Sequence, residues 1–146
     1  ALSVDHLEYT GDEEIAALHK SETMPTVLPG AAFFLGMPCA PVRKMIGSGL
    51  PVALASDFNP GSCPSGNMQL VFAMGSVMYK MLPEETVNAT TLNTAYAMDV
   101  WRELGTITKG KIANFFITKP MDTLYYMNYA FGSNKVEQVF LNGRRM

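Results

Sequence analysis

VALASDFNPGSCPSGN, residues 52–67, joins an apolar run to a loop crowded with glycine, proline and asparagine, and Asp57 stands at the junction. A short stretch of Val, Ala and Leu bounded by turn formers reads as a strand buried on both faces, as in parallel sheets. Asp57 then lies at the strand's C-terminal end, the edge of a parallel sheet where ligands bind and catalytic groups gather. A turn aspartate or a helix N-cap accounts for the same residue equally well at this point.

Working outward from that strand, LSVDHLEY (2–9) reads as a strand. TGDEEIAALHKS (10–21) reads as a helix opening at Thr10 with acidic residues ahead of an Ile15/Leu18 stripe, and TMPTVLPG (23–30) reads as the next strand. PVRKMIGSG (41–49) is a short helix stopped by Gly47 and Gly49, leading into LPVALAS (50–56). The order is β-α-β-α-β. Two longer helices follow, NMQLVFAMGSVMYKM (67–81) and PEETVNATTLNTAYAMDVWREL (83–104), the second with Pro83 in its first turn. Past Gly105, GTITKGKIANFFIT and KVEQVFLNGRRM are β-rich and punctuated by turns. A boundary near Gly105 therefore divides residues 1–105 from a smaller β unit, 106–146. Alternating strands and helices imply a parallel sheet, but about three βα units cannot close a (β/α)8 barrel, which takes about 250 residues. The expected fold is α/β: the C-terminal part of a TIM-like barrel followed by strands of a small β-sandwich. The chain opens in a strand-like run without an initiator Met, which suggests that further sequence precedes it.

Composition narrows the partners. Among 146 residues, 48% are hydrophobic and 16% charged, with a net charge of −2, an ordinary globular balance. Eleven Lys and Arg on a slightly acidic chain form no basic stripe for phosphates, so nucleic acid is not expected. No apolar run reaches the roughly 18–20 residues of a membrane span. Cys39 and Cys63 lack metal-type spacing and are too few for a disulfide framework, which suits a reducing cytoplasm. Met68, Met74, Met78 and Met81 recur at helical spacing and read as core filling. Glu13, Glu14, Glu84 and Glu85 fall in first helical turns, where the helix dipole explains them, and His19 near a helix end is explained the same way. Cys63 has no activating base nearby in sequence and reads as a free loop thiol.

The segments SVDHLEYT, VLPGAAFFLG, VALASDFNPGSCPSGNMQL, LPEETVNATTLNTAYAM and GTITKGKIANFFI together resemble the imidazolonepropionase family, cyclic-amide hydrolases of the amidohydrolase superfamily. The resemblance covers nearly the whole chain. DFNPGS and VDHLE carry the family, and the glycine–lysine pattern of the tail marks the superfamily. Asn114 departs from the pattern, which usually has Asp there, in a segment remote from the chemistry.

The resemblance implies a mononuclear zinc or iron (Fe²⁺ or Fe³⁺) site and hydrolysis of 4-imidazolone-5-propanoate to N-formimidoyl-L-glutamate in histidine degradation. It makes Asp57 the metal-ligating aspartate at the end of the eighth barrel strand, and His6 the active-site histidine at the end of the sixth. Asn59 and Gly61 match product-contacting positions, and Ser62 matches a substrate-contacting hydroxyl. The family's metal-binding histidines would lie upstream of Ala1. A small-molecule substrate and a homodimer are implied as partners. Two other readings stand beside this one: a different amidohydrolase, such as a deaminase or another cyclic amidase, and a non-catalytic folded fragment or assembly module. His6 taken alone is also compatible with a satisfied structural histidine.

Overall fold

The computed structural model describes residues 1–146. Three strands, β1 (Ser3–Asp5), β2 (Met24–Val27) and β3 (Ala53–Leu54), pair in parallel in the order β1-β2-β3. All four residues of β2 are buried, as are both of β3, whereas β1 is largely exposed at the sheet's edge. Helices α1 (Asp12–His19), α2 (Pro29–Leu35), α3 (Val42–Gly47), α4 (Met68–Tyr79), α5 (Pro83–Thr90) and α6 (Leu92–Ala97) connect and follow these strands. The core gathers Val27 and Leu54 from the sheet with Ile15, Val42, Met45, Val71, Tyr79 and Ala89 from the helices. Burying a side chain such as Leu54 is worth about 1.5–3 kcal/mol.

Each strand is shorter than its apolar run. The first ends after Asp5 because His6 and Leu7 both adopt left-handed backbone, φ 73° and 75°, which no strand continues. The first helix begins at Asp12, not Thr10, and Glu14 Oε2 accepts the Gly11 N–H at 2.8 Å. The acidic pairs do occupy first turns: Glu13 and Glu14 of α1, Glu84 and Glu85 of α5. The methionines divide. Met81 is buried and Met78 packs against the core, but Met68, in the first turn of α4, is 38% exposed.

Two helices depart from expectation. Residues 29–35 form α2, with Pro29 in its first turn and Gly36 left-handed at its end (φ 63°), an arrangement in which Pro opens a helix and Gly closes it. The expected single helix over 83–104 breaks at Thr91 (φ −125°, ψ −82°) and stops at Ala97. The threonine hydroxyls explain the break. Thr90 Oγ1 donates to Thr86 O at 2.8 Å and Thr91 Oγ1 to Val87 O at 2.5 Å, a back-bonding that competes with the helical ladder. Beyond the break, Asn93 Nδ2 donates to Val52 O (2.8 Å) and Thr94 Oγ1 to Leu54 O (3.1 Å), so α6 caps carbonyls of the β3 segment.

The tail forms one antiparallel sheet, β4 (Phe115–Thr118), β5 (Val136–Leu141) and β6 (Arg144–Arg145), in that order. It begins ten residues later than the β-rich reading from Gly105, and the one-turn helix α7 (Tyr125–Tyr129) intervenes. Asn142 and Gly143 are both left-handed, as a two-residue hairpin turn requires. Asn114 Oδ1 accepts the Asn142 N–H at 2.8 Å. An aspartate could accept the same bond, so the departure at Asn114 leaves this turn intact. Gln69 ties the tail to α4: its Nε2 donates to Ala130 O at 3.1 Å and its Oε1 accepts from Lys135 N at 3.0 Å.

Candidate active site at the C-terminal edge of the parallel sheet

The first residues beyond β1 and β3 carry the two groups singled out in the sequence. His6 immediately follows β1, and Asp57 follows β3 by three residues. Both strands flank β2 in parallel, so the two residues leave the same edge of the sheet, their strands about 10 Å apart by two interstrand spacings. The His6 side chain is half exposed. Asp57 is half-buried and left-handed, φ 53°. A non-glycine residue in that region is uncommon, and here it turns the chain sharply off β3. Asp57 caps no helix, since the N-cap of α4 is Asn67, whose side chain accepts from Leu70 N. Its carboxylate enters none of the chain's ion pairs.

The loop after Asp57 is built around one side chain. Asn59 Nδ2 donates to Asp57 O (2.6 Å) and to Ser62 Oγ (3.0 Å), while Asn59 Oδ1 accepts the N–H groups of Gly61 and Ser62, both at 2.8 Å. Asn59 N donates to Cys63 O at 3.0 Å. Asn59 thus organises the loop from within, and the Gly61 N–H is engaged there. Gly61 is exposed and Ser62 half-buried. Cys63 is a buried free thiol. It anchors the loop against α2, where a Cβ on Gly30 would lie 2.5 Å from its sulfur. Only glycine admits that approach.

An oxygen donor at a strand end with no competing cation is what an Asp ligand to zinc or iron requires. Asp57 fits that role as one ligand. The chain gathers no group of three His, Cys, Asp or Glu side chains that could hold a metal ion, so residues beyond these 146 would have to complete the set. A cavity of about 1000 Å³ lies elsewhere, between α4, α5, β4 and the segment around α7, lined by Gln69, Phe72, Thr90, Phe116, Met127 and Val136 among others. None of the five singled-out residues lines it, and Lys135 is its only charged group.

Sequence reasoning missed Glu8. It is buried, and its Oε1 lies 3.7 Å from His6 Nδ1. Its closeness to His6 in sequence was the one signal, since the left-handed turn at His6 and Leu7 that buries it has no local signature.

Comparison with known proteins fits this architecture. The amidohydrolase family profile matches residues 5–146, and the chain belongs to the amidohydrolase family. Among curated relatives, imidazolonepropionase of Flavobacterium johnsoniae is 55% identical over 99% of this chain and 35% of its own length. Imidazolonepropionase of Christiangramia forsetii is 52% identical over the same shares. The chain therefore spans about a third of the length of the curated relatives it matches. An adenosine deaminase from Xanthomonas campestris, solved with zinc bound, superposes with a TM-score of 0.88 at 19% identity, over 98% of this chain and 36% of that one. That likeness establishes the fold: the parallel strands and their helices are part of an amidohydrolase barrel.

Proposed function

We propose that the chain contributes the C-terminal part of an imidazolonepropionase, which hydrolyses the ring amide of 4-imidazolone-5-propanoate to N-formimidoyl-L-glutamate. The observation that carries this is that Asp57 and His6 leave the same edge of the sheet, beyond the two strands flanking β2. The identity of 52–55% to proteins of that name supports the choice among amidohydrolases.

Asp57 would hold a zinc or iron ion together with histidines from outside these residues. When bound, the ion supplies Lewis acidity and brings the pKa of water toward neutrality. Asp57 accepts the proton of the attacking water on its second oxygen. As the ring C–N bond breaks, Asp57 returns that proton to the leaving nitrogen, so charge balances across the step. His6 orients the water or polarises the ring carbonyl. Asn59, Gly61 and Ser62 form the recognition loop, which Asn59 also holds in shape. The β4-β5-β6 sheet is one layer of a small β-sandwich, residues 106–146 are a unit distinct from 1–105, and the working enzyme is a cytoplasmic homodimer.

The test is a chimera in which these 146 residues replace their counterpart in the F. johnsoniae relative. It should turn over imidazolonepropionate with one metal per chain and run as a dimer by light scattering. Asp57→Ala should lower metal content and rate together, the rate by a factor of about 10³ or more. A chimera without turnover rejects the activity. A variant with full metal and near-normal rate rejects Asp57 as ligand.

A further inference from the structure

Glu8 is the single buried carboxyl side chain of the chain. Its side chain is 3% exposed, and its Oε1 has no hydrogen-bond partner. A polar oxygen enclosed without a donor is costly, and His6 Nδ1 lies 3.7 Å from it, just beyond hydrogen-bond range. The consecutive left-handed residues His6 and Leu7 (φ 73° and 75°) fold the chain back after β1 and bring that edge of the ring over the carboxyl. Glu8 is locked by burial, while the imidazole is half exposed and free to close the gap by rotating. The Tyr79 hydroxyl is also buried without a partner, and its pKa is raised, by burial first and then by Cys39 and Glu8. The phenol therefore stays neutral and places no second anion beside the carboxyl.

Resting on the reading that His6 serves the reaction, we propose that Glu8 is a positioning residue for His6. It accepts a hydrogen bond from Nδ1–H, fixes the neutral imidazole in that tautomer, and leaves Nε2 as a bare acceptor at the sheet edge. The ring nitrogen that carries the proton is set by the bond the other one makes. A bare Nε2 can accept from a water molecule but cannot donate to a carbonyl oxygen. Glu8 therefore selects water orientation, not carbonyl polarisation, as the task of His6.

The chain has two histidines, His6 and His19, and His19 is exposed at the end of α1. Long-range ¹H–¹⁵N correlation of the 146-residue chain at alkaline pH reads each tautomer separately, with His19 as internal control. His6 should show the Nδ1–H pattern, and His19 the Nε2–H preference of free imidazole. Glu8→Gln, which keeps an acceptor oxygen, should preserve the His6 pattern, and Glu8→Leu should abolish it without moving His19. An Nε2–H pattern for His6 in the unmodified chain overturns the proposal whatever the variants do, as does an Nδ1–H pattern that survives Glu8→Leu. In the chimera, Glu8→Leu should lower kcat about 10-fold or more with KM unchanged, and Glu8→Gln should restore most of it. A chimera lacking all activity rejects the functional reading, while the tautomer measurement still decides the role of Glu8.

Discussion

Substituting Gly30 tests how the loop that carries Asp57 is held. Gly30 lies in the first turn of α2, and a Cβ there would sit 2.5 Å from Cys63 Sγ, 3.4 Å from Ser56 O and 3.8 Å from Cys63 Cβ. Carbon-type contacts are optimal at about 3.5–4.0 Å, so the new methyl overlaps the sulfur by about 1 Å and nothing else seriously. Overpacking of this kind costs about 1–3 kcal/mol, while replacing a helical glycine by alanine returns about 0.5–1 kcal/mol. Gly30→Ala alone should therefore destabilise the chain by up to about 2 kcal/mol. In a Cys63→Ala background the sulfur is gone and the nearest remaining atom is the Ser56 carbonyl at 3.4 Å, so the same substitution should become stabilising, by about 0.5–1 kcal/mol. Urea unfolding of the four proteins in the cycle gives the coupling, expected at about 1–3 kcal/mol. Additivity within about 0.5 kcal/mol would refute the claim that this sulfur is what requires glycine.

Two further outcomes bear on stability and recognition. Arg43 pairs with Glu85 through two 2.8 Å bonds, Nη1 to Oε2 and Nη2 to Oε1, and this bonding, against the opposing effect of burial, holds the Glu85 carboxyl below its ordinary range. A depressed folded pKa means that the pair's stabilisation is complete above about pH 4.5, the unfolded value, and fades as pH falls through the lower folded value. Urea midpoints of Glu85→Gln and the parent should thus differ by about 0.5–1 kcal/mol near neutrality and converge in acid, and a difference independent of pH would reject the pairing as its source. In the chimera, Asn59→Ala should raise KM or lower kcat with metal content intact, whereas loss of metal would make the loop a structural support for Asp57 alone.

The strands and their order were legible because the apolar runs are short, separated by turn formers, and alternate with helical stripes. Their ends were not, because a left-handed residue at His6 or Asp57 is a tertiary outcome that no local preference for histidine or aspartate announces. The helix over 83–104 has one continuous apolar pattern, and its break depends on hydroxyls of Thr90 and Thr91 choosing carbonyls of the preceding turn, a choice among equally local options. The second helix was readable in principle from Pro29 and Gly36, but Pro-Gly after an apolar run reads first as a turn. Asp57 was singled out by its position at the end of an apolar run, and His6 by the family resemblance of the segment around it. Glu8 was not, because its burial comes from how residues 6–7 fold back and not from its own chemistry.

The candidate site depends on small residues as much as on acidic ones. Where the chain turns off β3, Asn59 Nδ2 donates to the Asp57 carbonyl. Asn59 in turn keeps its place by a bond from its own N–H to Cys63 O. Cys63 is seated where it is because residue 30 has no side chain, and Gly30 is placed by Pro29, which opens α2 at the end of the segment following β2. The carboxylate at the sheet edge is thus located by a chain of contacts that returns to the central strand. The same logic holds on the other flank, where the fold-back at His6 and Leu7 sets the ring against Glu8. Asp57 and His6 thus each leave the sheet edge beside a neighbouring polar group, the Asn59 amide on one flank and the buried Glu8 carboxyl on the other.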